Sequence, residues 1–231
     1  MAKGGTTYVP IQKYDLELLK ASSGDRPYGE IIEEKANHLA EVLTQSDRSE
    51  TFKILQYCLR EIMRNSIEHS FGKNLVVLGQ FWPLRNEAEI VIYDDGCGIA
   101  ATIQNTHSSL VGSAALVKAL EPGVSGVSEY EMQYQHPDYR NSGFGLFVTS
   151  EIAAGHGVFQ LITKDSSVIR KSSVLEPLQL NFEGTCVQIR LNLENLTTEK
   201  ILETVKNGED LLASTGAAKT SSAKSKSFTD W

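Results

Sequence analysis

Apolar positions along this chain recur at spacings that define local structure before any chemistry is considered. Between Glu30 and Thr44, Ile31, Ile32, Ala36, Leu39, Ala40 and Leu43 return every few residues with charge between them, predicting an amphipathic helix. A second helix follows to about His69. Ser46 or Asp47 is its expected cap, and Phe52, Leu55, Leu59, Ile62 and Met63 form its apolar face. Asn74–Trp82 and Glu87–Tyr93 read as extended runs broken by Pro83 to Asn86, which predicts an antiparallel hairpin. From Ala100 to Asn141, helical character around Ala114–Leu120 is interrupted by Pro122-Gly123, Gly126 and His136-Pro137, so a long lid-like connection is expected. Phe144–Ala154 predicts a helix ending at Gly155. Val158–Thr163, Ser167–Leu175 and Thr185–Leu193 predict strands, and Thr197–Val205 a last helix. From Ser214 the Ser, Ala, Thr and Lys content predicts a disordered tail, in which Phe228 and Trp231 are accidental or a small docking element. Met1–Gly29 offers only a short amphipathic piece, Tyr14–Lys20. The sum is an α+β fold, a two-layer α/β sandwich with helices on one face of a mixed sheet. The other face is left for solvent or a partner.

Composition narrows the function classes. At 231 residues the chain can bury one sizeable core, and its 41% hydrophobic and 22% charged content is ordinary for a globular protein. A formal charge of -7 argues against a broad basic surface, so no nucleic acid is expected as partner. Cys58, Cys97 and Cys186 are odd in number and form no metal-spaced pair, which fits a reducing compartment. No long apolar stretch follows Lys3, and Leu75–Leu78 is far too short to cross a bilayer. The expectation is a cytoplasmic protein with no signal peptide and no membrane span.

Four short motifs carry candidate chemistry. Glu61, Asn65 and either Glu68 or His69 share one side of the second helix, offset from its apolar stripe. A carboxylate and a carboxamide one turn apart suit a hydrated Mg²⁺ shared with phosphates. The carboxylate equally suits polarising a water or hydroxyl, and the same spacing fits a solvated face with a local ion pair. Asp94-Asp95-Gly96-Cys97-Gly98-Ile99 follows a strand. Its glycines permit a tight turn and close ligand approach, its aspartate suits an exocyclic amine such as adenine N6, and Ile99 suits the flank of a base. Gly143, Phe144, Gly145 and Leu146 open the next helix, where free backbone N–H groups and the helix dipole favour phosphate; Ser142 is the expected cap. No Lys-Ser or Lys-Thr follows Gly145, so this is not a Walker loop. Gly184-Thr185 begins the last strand and is uninformative alone.

In this order the four motifs, spanning about Thr51 to Leu193, resemble those of the GHKL ATPase superfamily of gyrase, heat-shock chaperone, histidine kinase and mismatch-repair ATPases. Glu61–Asn65 resembles the N box, and Asp94–Gly98, Gly143–Leu146 and Gly184-Thr185 resemble the three glycine boxes. The resemblance implies a Bergerat sandwich that binds ATP with Mg²⁺. On it Asn65 ligates the metal, Asp94 holds the adenine amine and Gly96 and Gly98 pass the nucleotide. Gly143 and Gly145 cradle phosphates, Thr185 supports the adenine end, and Glu61 is the general base or water-orienting carboxylate. Arg64, Arg140 and Asn141 are candidate phosphate neighbours by position alone, and His69 is expected to be structural or to support a residue that contacts the ligand. The implied organisation is an N-terminal helical extension over 1–47, an ATP-binding domain over 48–210 with its lid at about 100–142, and a tail over 211–231.

Little chain follows Leu193 for a transducer domain, and Gly155-His156-Gly157 looks closer to histidine kinases and anti-sigma-factor serine kinases. His38 lacks an acidic neighbour after it and room for a helical hairpin, so it is not expected to be a phosphoacceptor. The expectation is a regulatory protein that phosphorylates or switches a partner protein, with a homodimer also compatible. A nonenzymatic nucleotide-gated module and a slow ATPase are the alternatives.

Overall fold

The computed structural model describes residues 6–21, 28–126, 142–172 and 174–216. In chain order these form β1 (Tyr8–Asp15), α1 (Leu16–Ala21), α2 (Tyr28–Thr44), α3 (Glu50–His69), β2 (Asn74–Trp82) and β3 (Glu87–Asp94). There follow α4 (Ile99–Gln104), α5 (Gly112–Ala119), α6 (Gly145–His156), β4 (Gly157–Lys171), β5 (Val174–Asn192) and α7 (Thr198–Ser214). Arg140, Asn141, Phe228 and Trp231 lie outside the described residues.

The sheet runs β1-β2-β3-β5-β4, and every pairing is antiparallel. The expected α+β sandwich is present, but among the described strands the sheet is antiparallel rather than mixed. Two short hairpins set two of these pairings: the link over residues 83–86 reverses the chain between β2 and β3, and a turn at Ser172 reverses it between β4 and β5. Alternation sets which face is buried. On β3, Ala88, Ile90, Ile92 and Asp94 point into the core, while Glu87, Glu89, Val91 and Tyr93 face away from it. Asp94 therefore continues an apolar series with a carboxylate, which makes it the anomaly of that strand.

Helix α3 lies on the inner face of the sheet, burying Ile54, Leu55, Leu59, Ile62 and Met63 at about 1.5–3 kcal/mol each. That anchorage fixes its polar side in space. Its cap is Ser49, whose Oγ accepts from the Phe52 N–H at 3.1 Å, rather than Ser46 or Asp47. Ser46 Oγ instead accepts from the Arg48 and Ser49 N–H groups, building the turn before the cap. Helix α7 packs on α3 and α6, and runs nine residues past the expected Val205.

Three further elements differ from the sequence expectation. The N-terminal stretch expected to be helical contributes β1, an edge strand on β2, before α1 begins. The strand expected over Ser167–Leu175 straddles a reversal, where Ser172 takes φ 49°. Gly155 stays helical, and α6 ends at His156 with Gly157 as its C-cap. Among the described residues no helix is long and apolar enough to cross a membrane.

Candidate functional site

A cavity of about 320 Å³ lies between α3, the α4–α5 region, the start of α6 and the β3 and β5 strands. Its walls include Glu61, Asn65, Asp94, Gly98, Ile99, Gly143, Gly145, Leu146 and Thr185. Nine of the eleven residues expected at the site therefore converge on one space of ligand size.

Asp94 forms the buried polar end. It is 2% exposed, with Oδ2 accepting from the Ser66 hydroxyl at 2.9 Å and Oδ1 from the Gly96 N–H at 3.1 Å. Burial pushes its carboxyl up to about 6, although the Ser66 and Gly96 hydrogen bonds act the other way. Each oxygen keeps further acceptor capacity, so a donor entering the cavity meets a desolvated carboxylate held in one orientation. The surrounding backbone is locked by close approach. A Cβ on Gly184, at φ 83°, would stand 1.9 Å from the Asp94 carbonyl oxygen, and one on Gly98, at φ 85°, would stand 2.3 Å from Thr163 Oγ1. Thr163 donates to the Gly184 carbonyl at 3.0 Å, while Thr185 Oγ1 accepts from the Ile99 N–H at 3.1 Å. Thr185 thus ties β5 to the turn after β3, a role that the isolated Gly-Thr pair could not announce.

Glu61 stands five residues before Ser66 on α3, about 7.5 Å along the axis. Its Oε2 lies 2.3 Å from where a Gly145 Cβ would be, so the start of α6 packs directly on this carboxylate. The α6 N-cap is Phe144, not Ser142, and among the described residues no side chain caps the helix. A helix start that opens on a cavity is suited to an anion. Gly143, at φ 74°, sits against Gly123 and Val124, and its carbonyl accepts from the Gly123 N–H at 3.1 Å.

Two expected residues stand elsewhere. Phe144 is fully buried, edge-on to Phe147 with ring centroids 6.4 Å apart, and belongs to the core rather than the cavity wall. Gly96 is not in the wall either. A Cβ there would lie 2.1 Å from the Ser70 carbonyl oxygen, which instead accepts from the Cys97 N–H at 2.7 Å. Gly96 therefore lets the turn dock on the end of α3.

Arg60 and Glu61, and Arg64 and Glu68, form ion pairs within α3. Glu68 accepts from Arg64 at 3.1 Å and from the Tyr28 hydroxyl at 3.1 Å, so it is committed to structure. Arg60, 6% exposed, donates through Nη2 at 2.9 Å and Nε at 3.2 Å to Glu61 Oε1. Sequence spacing missed that pair, because neighbours at i and i+1 do not face each other on a helix and only long side chains bridge them. His69 lines the cavity, and His38 is exposed on α2.

The cavity joins a buried carboxylate acceptor, Asp94, to the glycine-rich start of α6, a set of groups that suits a ligand carrying both an amine and phosphates. Among the described residues no group of three or more His, Cys, Asp or Glu forms a metal cage. The site's oxygen donors suit a Mg²⁺ that takes most of its ligands from phosphates and water. Fold and cavity together define the class, an ATP-binding two-layer sandwich. The family model for histidine kinase-, DNA gyrase B- and HSP90-like ATPases matches residues 51–195, and the chain belongs to that family. No curated protein matches the chain.

Proposed function

We propose that this is an intracellular, Mg-ATP-dependent regulatory protein that phosphorylates a serine or threonine hydroxyl of a partner protein. What supports this is Glu61, a carboxylate whose Oε2 lies against Gly145 at the start of α6. Asp94 accepts from the adenine amine, and the backbone at Gly143 and Gly145 holds the phosphates. Asn65, one turn beyond Glu61, is the protein's ligand to Mg²⁺. Bound Mg-ATP supplies the transferable phosphoryl group. Glu61 takes the proton from the attacking hydroxyl as its oxygen bonds to phosphorus and ADP departs. The sheet face away from the helices carries half-buried Val76, Leu78, Val91, Tyr93 and Ile162, which supports a partner or a second copy there. Three free cysteines support a reducing compartment.

One observation favours a second reading. The Arg60 guanidinium donates to Oε1 of Glu61, so one of the two carboxylate oxygens is already committed to a structural hydrogen bond. In that reading the protein binds ATP without chemistry and switches a partner surface. The test incubates the parent and Glu61→Gln with labelled ATP and proteins encoded beside it. Phosphoryl transfer by the parent, lost in the variant at equal ATP affinity, is expected. Intact ATP and an unlabelled partner would leave the nucleotide-gated reading in its place.

A further inference from the structure

Helix α3 ends on a residue that local geometry disfavours. Ser70 is its C-cap, with helical dihedrals and its N–H donating to the Ser66 carbonyl at 3.3 Å. The next residue, Phe71, takes φ 55°. Helices commonly give that left-handed position to glycine, because a Cβ there crowds the neighbouring carbonyl. A glycine stands one step later, at Gly72, yet a phenylalanine holds the slot. The core gives nothing back, since Phe71 is 85% exposed. Left-handed backbone and a solvated aromatic ring thus fall on one residue.

The turn is fixed from several sides. Cys97 N–H donates to the Ser70 carbonyl at 2.7 Å, Gly72 N–H to Ser70 Oγ at 3.0 Å, and Lys73 N–H to Asp95 Oδ1 at 2.8 Å. A Cβ on Gly72 would lie 2.7 Å from Asp95 Oδ1, so that glycine is needed for the close approach and cannot be exchanged with Phe71. The clamp couples Phe71 to the same Asp94–Gly98 turn that holds the buried carboxylate. Phe71 lines the cavity together with His69, Asp94 and Ile99.

We propose that Phe71 is a recognition residue for the nucleoside end of the bound nucleotide, covering the purine at the cavity mouth while Asp94 holds its amine. Strain of this kind persists where the surrounding structure enforces it and the site uses it. Aromatic contact with a base is tolerant of base identity, so Phe71 supplies affinity and Asp94 supplies selection. The inference rests on the placement of the purine at Asp94, and the test separates the two.

Calorimetry with ADP and ATP, paired with thermal melts, compares the parent with F71G, F71W and D94N. F71G relieves the backbone, so its melting temperature should equal or exceed the parent's. Its affinity should fall about 5- to 100-fold for ADP and ATP alike. F71W should restore affinity, and its emission, after subtraction of the parent's signal, should change when nucleotide is added. If F71G binds as tightly as the parent while D94N loses binding, Phe71 has no part in recognition and its ring belongs to a protein-docking surface. If D94N binds as tightly as the parent, the purine placement fails and takes the inference with it. A lowered melting temperature in F71G would assign Phe71 a structural role instead.

Discussion

Asp94→Asn should stabilise the free protein while abolishing nucleotide binding. The carboxyl is raised from 3.8 to about 6, with burial as the main cause. Between pH 4 and 6 the folded chain therefore holds a proton that the unfolded chain has released. Stability consequently falls as pH rises through that window, and the penalty is complete above it. At about 1.4 kcal/mol for each tenfold change in proton affinity, the rise to about 6 amounts to about 3 kcal/mol at pH 7.5. An amide avoids the penalty. Its oxygen accepts from the Gly96 N–H, and its NH₂ faces the Ser66 hydroxyl, which accepts in its turn. In a chain of this size the gain corresponds to a rise of about 6–12 °C in melting temperature. The assay is urea or thermal unfolding of both proteins, without nucleotide, from pH 4 to 8. Their difference should open between pH 4 and 6 and stay constant above. Parallel curves, or a variant less stable at pH 7.5, would refute the assignment of Asp94 as a carboxylate held ionised against its environment.

The same ionisation governs the ligand. ATP affinity of the parent should weaken below pH 6 by up to about tenfold per unit, as the acceptor becomes protonated, and titrations at pH 5, 6 and 7 measure it. Asn65→Ala should weaken Mg-ATP binding about 10- to 100-fold and leave metal-free ATP binding unchanged, which calorimetry with and without chelator resolves. Gly184→Ala should destabilise by about 3 kcal/mol, because the position has φ 83° and the added Cβ would meet the Asp94 carbonyl; urea unfolding reads it.

The sequence made the core of the site legible because each motif sits where an element begins or ends. Asp94 follows an alternating strand, and Gly143–Gly145 precedes a helical run, so order along the chain reproduced adjacency in space. Phe144 misled because a residue between two glycines shares their loop but not their direction, and its ring turns into the core against Phe147. The β1 strand stayed hidden because Pro10 and a register shift between Val9 and Gln12 break the two-residue period. The reversal at Ser172 carries no Asn-Gly or Gly signal, so two strands read as three. Arg60 and Phe71 were silent for a different reason. A buried ion pair between sequence neighbours and a left-handed aromatic leave no pattern in one dimension.

Glu61 and Asp94 line one cavity, so nucleotide binding and nucleotide chemistry can be read from a single sample. Titration of the parent with Mg-ATP by calorimetry, followed by analysis of the nucleotide recovered with a candidate partner present, tests it most directly. The expected result is one ATP per chain, binding that disappears in Asp94→Asn, and ADP released together with a phosphorylated partner. Absence of any heat or bound nucleotide at millimolar Mg-ATP and neutral pH would contradict it.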